Sequence, residues 1–304
     1  MEKSWKEVRV EIHPFLAEAA SNFLIEQGSP GIVQEEVKGS SGRKRERLTA
    51  YFAAGRSFNA KKKKIAIYLR SLSQSRRTSF ALTQRTIQEE KWAQNWQENF
   101  KPVEIPPRLV IKPPWEKWPE KMDQIIIEID PGMAFGTGTH PSTQMCLQVL
   151  QDFISSRFHP PTILDVGTGS GILAIASLKL GSRKVAAVDT DPVAIACARK
   201  NAAANRVDGK IYFRTGSADA VRRVFDIVVA NLLPQELLGL IPALAGRMCS
   251  EGSLIASGFL RRQRKEIASA FARQGLEVQR SLAQKGWSCL LLAKRSRARK
   301  EDET

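Results

Sequence analysis

The residues with the clearest chemical potential lie between positions 162 and 191. A short apolar stretch, TILDV, runs into glycines at 167, 169 and 171, and ILAIASLKL follows at once with helical character, ending at Gly181. Strand, turn and helix in that order form the context a nucleotide-binding fingerprint requires. The turn is tight, and a ligand can approach its backbone because no Cβ stands in the way. The spacing is G-x-G-x-G rather than the dinucleotide pattern G-x-G-x-x-G, which argues against a pyrophosphate seated on the helix N-terminus. Asp165, just ahead of the turn, places a carboxylate close to the ligand, which should therefore carry positive charge. A sulfonium amino acid with a free α-amine fits this demand and a diphosphate does not.

A second acid supports the reading. KVAAVDTDP predicts a strand ending at Asp189, twenty residues beyond Gly169, where a ribose-binding carboxylate sits in Rossmann-like sites. Asp189 could instead simply end a strand in solvent; the glycine turn beside it favours the cofactor. Asp191 should cap the next helix, with Pro192 in its first position. IYFRTGSADA gives a third strand, with Ser217 and Asp219 beyond its end as candidate adenine contacts. FDIVVANLLPQELL gives a fourth, closing at Asn231. A polar side chain at the ligand edge of a buried strand suits substrate orientation. The plainer role for Asn231 is a helix N-cap, because Pro234 opens the following helix. GSLIASGFL, LEVQRSL and WSCLLLAK supply strands five to seven.

The elements ahead of this sheet fall into two groups. Residues 1–88 read β-α-β-β-α-β, the order of a ferredoxin-like split unit. WKEVRVEI alternates as a strand, PFLAEAASNFLIEQG opens at Pro14 and closes at Gly28 as a helix, and PGIVQEEV and LTAYFAA are strands. AKKKKIAIYLRSLSQS is a helix, with Ile65, Ile67, Leu69 and Leu72 read as one face, and SFALTQRTIQ is the closing strand. GSSGRKRERL between the second and third strands reads as a turn or flexible loop. The run Lys61 to Lys64 is a solvated helix start. Trp92, Trp96 and Phe100 recur every four residues, predicting a linker helix over 89–102 that Pro102 ends. RLVIKPPWEKW and QIIIEID then enter a domain over 103–296, and 297–304 is a charged tail.

Composition bounds the rest. The 304 residues carry 47 Lys and Arg against 31 Asp and Glu, a net charge of +16. That field draws a chain towards nucleic acid at low salt. No apolar run reaches the ~20 residues needed to span a bilayer, and the N-terminus lacks a signal-peptide core, so a cytoplasmic protein and no membrane partner are expected. The four cysteines stand far apart without a CxxC pair and read as buried free thiols. Three histidines are too scattered for a metal site, so none is expected.

One more segment, DPGMAFGTGTHPST, precedes the glycine turn. Its glycines at 132, 136 and 138 suit a loop that closes over a ligand, and Ser142 or Thr143 would put a hydroxyl near the start of the helix CLQVLQDFI. This segment, together with LDVGTGSGILAIASLKLG, VDTDPVAIACARKNAAAN, DIVVANLL, the linker KWAQNWQENFKPVEI and RLVIKPPWE, resembles the ribosomal protein L11 methyltransferase family, PrmA. The likeness covers most of residues 90–260, and the N-terminal unit agrees in layout rather than in sequence.

The resemblance implies a seven-stranded Rossmann-like class I methyltransferase domain preceded by a small ferredoxin-like α+β domain that binds the substrate protein. It implies S-adenosylmethionine as cofactor, held by Thr143, Gly167, Asp189 and Asn231 with Phe135 over the ligand, alongside Gly169 and Asp165 from the turn itself. It implies transfer to lysine and N-terminal amines of ribosomal protein L11, free or on the ribosome, with Asn231 and the Leu232 carbonyl orienting the nitrogen. Thr168 stands where the family often has cysteine. Two other readings are a ribosomal RNA methyltransferase, suggested by the charge, and a non-catalytic ribosome-binding protein of the same fold. Enzymes that methylate base amines often carry Asn-Pro-Pro-aromatic after the fourth strand, whereas this chain has Asn231-Leu232-Leu233-Pro234. Weak electrostatic contact with ribosomal RNA and a monomeric state complete the expectation.

Overall fold

The structure is a computed structural model that describes residues 4–29, 32–38, 44–55, 57–74, 78–88, 100–119, 121–130 and 138–295. The chain divides into two compact units, residues 1–101 and 102–304. The expected linker helix with Trp92 and Trp96, Phe135 and the charged tail lie outside the described residues.

In the first unit β1 (Ser4–Ile12), β2 (Ile32–Lys38), β3 (Lys44–Ala53) and β4 (Ala81–Gln88) form an antiparallel sheet in the order β2-β3-β1-β4. Helices α1 (Pro14–Glu26) and α2 (Phe58–Gln74) connect the strands in the β-α-β-β-α-β order. Alternation puts Val8, Val10 and Ile12 of β1 on one face, where they pack with Leu16, Leu24, Ile65 and Leu69 of the helices. Two expectations need correction. Ile67 is exposed while Ile65 and Leu69 are buried, because residues two apart on a helix lie on opposite sides. The third strand starts at Lys44, inside the segment read as a loop, because β2 and β3 pair down to Lys38 against Lys44. Arg47 then bonds the Glu11 carboxylate from the strand at 2.7 and 3.0 Å.

The second unit holds the glycine turn. β8 (Thr162–Val166), β9 (Lys184–Asp189), β10 (Ile211–Thr215), β11 (Phe225–Asn231), β12 (Met248–Leu260), β13 (Leu276–Gln284) and β14 (Trp287–Lys294) form one sheet, in the order β10-β9-β8-β11-β12-β14-β13. The first five strands in that order are parallel, and β14 runs antiparallel to both its neighbours. Helices α3 (Pro141–Ser155), α4 (Ile172–Lys179) and α5 (Pro192–Ala204) share a core with Ile163, Val185, Ile227 and Ile255. Helices α6 (Pro234–Gly246) and α7 (Arg264–Ala272) pack with the alternate residues Leu164, Val188, Val228 and Leu254. Both faces are covered, so the strands read as continuous apolar runs.

A small separate sheet joins β5 (Val103–Ile105), β6 (Leu109–Lys112) and β7 (Ile125–Glu128), with β7 parallel to β6 at its edge. No described helix is long and apolar enough to cross a membrane. Cys146 and Cys289 are buried free thiols as expected, whereas Cys197 and Cys249 are only partly buried. Among the described residues no cluster could hold a metal ion.

Candidate functional site

Strand order reverses between β8 and β11, so their carboxyl ends flank the crevice where open α/β sheets bind ligands. Val166 and Ala230 stand in register, which sets Gly167 beside Asn231 across that crevice. The glycine turn is pinned from several sides. The Gly167 and Thr168 amides donate to the Val188 carbonyl at 2.9 and 3.0 Å, and Gly171 donates to the Thr168 carbonyl at 2.9 Å. Gly167 and Gly171 hold φ of +73° and +83°. A Cβ on Gly167 would fall 2.2 Å from the Leu232 side chain, and one on Gly171 would fall 3.0 Å from Ala198. Glycine is thus required by both backbone and space.

Asp189 is no solvent-facing strand end. Its Oδ2 accepts from the Gly169 amide at 2.9 Å and its Oδ1 from the Asp191 amide at 3.0 Å, which fixes the carboxylate at the mouth of the turn. Asp191 caps α5 as expected, accepting from Val193 at 2.8 Å. Asp165 is completely buried. Burial raises its pKa to about 7, helped by the charge of Asp189 and opposed by hydrogen bonds from Thr168 and the Ala174 backbone. The Thr168 hydroxyl donates to its Oδ2 at 2.7 Å, while Oδ1 has no hydrogen-bond partner.

Asn231 is partly buried at the end of β11. Its Nδ2 donates to the Thr143 hydroxyl at 3.2 Å, which aims Oδ1 elsewhere, and that buried oxygen has no partner. The N-cap of α6 is Leu233, which makes no side-chain cap bond, so the capping role for Asn231 falls away. Leu232 lies between two glycines: its side chain covers Gly167, and its carbonyl faces Gly258, where a Cβ would come within 2.1 Å of the oxygen. The Asn231 side-chain oxygen, one of the two acceptors expected to orient a nitrogen, thus has no hydrogen-bond partner.

Ser217 Oγ is a third buried atom without a partner. Asp219, in contrast, is mostly exposed and pairs with Arg247 at 3.2 Å. Buried orphan polar atoms are costly unless something satisfies them. Here three lie beyond or beside the carboxyl ends of β8, β10 and β11. Two are acceptors, suited to the ammonium and donor hydrogens of a sulfonium amino acid, so the side chains fit S-adenosylmethionine.

His140 was not singled out from sequence. It caps α3, its Nδ1 lying 2.7 Å from the Ser142 hydroxyl and accepting from the Ser142 amide at 3.3 Å, and its ring meets Trp287 edge-on at 4.4 Å. Burial pushes its pKa down to about 4. The His-Pro pair ahead of an apolar-periodic run was the available signal.

This sheet order with its antiparallel seventh strand, glycine turn and strand-end carboxylate defines a Rossmann-like methyltransferase. The family model "Ribosomal protein L11 methyltransferase (PrmA)" matches residues 4–295, and the chain belongs to that family. A protein named ribosomal protein L11 methyltransferase from Pelobacter propionicus is 33% identical, over 98% of this chain and all of its own. One of the same name from Citrifermentans bemidjiense is 42% identical over 68% of each. The crystal structure of a ribosomal protein L11 methylase from Lactobacillus delbrueckii subsp. bulgaricus is 35% identical with a TM-score of 0.60, covering 65% of this chain and all of that one.

Proposed function

We propose that the protein moves methyl groups from S-adenosylmethionine to lysine and N-terminal amines of ribosomal protein L11. The observation that carries this reading is the open Oδ1 of Asn231, held by Thr143 across the crevice from the glycine turn. The bound cofactor supplies an electrophilic methyl group on a sulfonium. Gly167 and Gly169 would admit its backbone-facing side, Asp189 would accept from its ribose hydroxyls, and Asp165 Oδ1 would offer an acceptor to its ammonium. Phe135 and Thr143 complete the proposed enclosure.

The attacking amine must be neutral, although a free lysine has a pKa near ~10.4. Asn231 Oδ1 can accept one N–H of that neutral amine, leaving its lone pair directed at the methyl carbon. A buried site also disfavours the ammonium form. The Leu232 carbonyl, beside Gly258, is the second acceptor orienting that nitrogen in this proposal. In this proposal residues 1–88 recognise the substrate protein, 89–102 link them to the catalytic domain of 103–296, and 297–304 form a charged tail. The enzyme works as a cytoplasmic monomer.

The test offers labelled S-adenosylmethionine with ribosomal protein L11, other ribosomal proteins and bare ribosomal RNA in parallel. Label confined to L11, on lysine and amino-terminal nitrogens by mass spectrometry, is expected. Label in RNA alone would overturn the substrate. The +16 charge is the observation favouring that second reading.

A further inference from the structure

Strand β7 is an edge strand, yet its outer edge is not bare. Ile125 and Ile129 donate inward to the Arg108 and Lys112 carbonyls beside β6 at 2.8 and 2.9 Å. The even-numbered residues therefore present their backbone groups outward, and side chains from two helices meet them. Lys179 Nζ donates to the Ile126 carbonyl at 2.7 Å. Asn205 Oδ1 accepts from the Glu128 amide at 3.0 Å, and its Nδ2 donates to the Glu128 carbonyl at 2.6 Å. Asn201 repeats this on Asp130, accepting from its amide at 3.0 Å and donating to its carbonyl at 3.3 Å.

The spacing explains the match. Four residues of helix rise about 6 Å, and two residues of strand rise about 6.6 Å. Asn201 and Asn205 thus sit opposite Asp130 and Glu128 like successive residues of an antiparallel neighbour. Two side-chain amides stand in for a fourth strand.

Asn201 has a second hydrogen on Nδ2, which goes to the Ser170 carbonyl at 2.9 Å, inside the glycine turn. Asn205 spends its own on the Asn201 carbonyl at 2.8 Å, within the helix. Asn201 is almost completely buried, and Ala198, one turn before it, packs directly against Gly171. One side chain therefore ties the glycine turn to the backbone at Asp130, while its twin four residues on ties only strand to helix.

We propose that Asn201 is a positioning residue for the cofactor: through its single amide it sets the glycine turn at Ser170 relative to Asp130. This rests on the reading of that turn as the S-adenosylmethionine site. Losing Asn201 frees the turn to shift, which weakens cofactor binding while the reacting groups stay in place. Losing Asn205 releases the strand edge without touching the turn.

The experiment compares Asn201→Ala and Asn205→Ala in the full-length protein. It measures thermal midpoint without cofactor, S-adenosylmethionine affinity by calorimetry, and kcat and KM at saturating protein substrate. Both variants should melt earlier. Asn201→Ala should raise Kd and KM for the cofactor about tenfold or more, with kcat within about twofold. Asn205→Ala should leave both within about threefold. Unchanged affinity in Asn201→Ala, or equal losses in the two variants, overturns the proposal. Should Asn201→Ala not fold, Asn201→Asp takes its place, keeping the acceptor for the Asp130 amide and removing the donors to the Asp130 and Ser170 carbonyls, with the same outcomes read. A wild-type chain that fails to bind S-adenosylmethionine overturns the cofactor reading itself.

Discussion

In the proposed function Asn231 and Asp189 divide the work at the level of single side chains. Asp189 is fixed by two backbone amides at the mouth of the glycine turn, and Asp189→Ala should weaken S-adenosylmethionine binding. A charge-assisted hydrogen bond is worth roughly 1.5–3 kcal/mol, which is about 10- to 150-fold in a Kd titration. Asn231→Ala should instead lower kcat by about 100-fold, more than it weakens cofactor binding, because in the proposed function it chiefly orients the attacking nitrogen. Unaltered turnover in Asn231→Ala would remove its role.

His140 gives a pH prediction. Its folded pKa of about 4 lies below the ordinary 6.5, so between those values the unfolded chain binds the proton more readily. Its contribution to stability is complete above pH 6.5 and is lost as pH falls towards 4. Asp165 acts oppositely: its raised pKa makes the folded state the better proton binder between 3.8 and about 7. A comparison cancels Asp165. His140→Asn keeps an N-capping side chain without the titration, so denaturant unfolding should show the variant gaining on wild type from pH 7 to pH 5. A constant gap would mean that His140 is not held neutral.

Asn231, Asp189 and the three glycines were legible because each ends or follows an apolar run of a doubly covered sheet. The burial of Asp165, the turning of the Leu232 carbonyl onto Gly258 and the task of Asn201 were not. Their partners lie on other elements, and only the fold brings them together.

The close approach of β11 and β12 governs the site at the level of elements. Gly258 interrupts β12 with φ of +96°, and Leu232 occupies the space its side chain would need. Gly258→Ala should displace Leu232 and the adjoining Asn231, lowering kcat by about 100-fold, since a shift near 1 Å costs that much. S-adenosylmethionine affinity should fall far less. Steady-state kinetics beside a binding titration checks this, and a fully active variant would mean the crowding is relieved without moving the strand end. Element order was readable over much of the chain, because helical and alternating periods differ and Pro14, Pro141, Pro192 and Pro234 mark helix starts, whereas the short β5 and the helix α7 were not read. Ile67 and the early start of β3 were misread where a local pattern yields to pairing and rotation set by neighbouring elements.

Charge belongs to the whole molecule. A net +16 should bring the protein to ribosomal RNA without base selectivity. Binding to bare RNA should therefore weaken steeply between about 50 and 200 mM salt, while methylation of free L11 changes far less. Methylation that falls in parallel with RNA binding would make RNA part of the recognised substrate. The sequence reads as a first unit over 1–88, a linker over 89–102 and a second domain from 103, but the charge names no partner because a field carries sign without address.

The reversal of strand order between β8 and β11 also dictates how the chain comes into being. Synthesis delivers β8, β9 and β10 with their helices first, and these pair locally. Of these three, β8 keeps its other edge bare until residues 225–231 emerge. The glycine turn and Asp189 are thus made before Asn231, the side chain proposed to orient the amine. A chain stopped between residues 216 and 224 would expose the Ile163 and Leu164 strand as an open apolar edge, and such fragments should aggregate rather than bind.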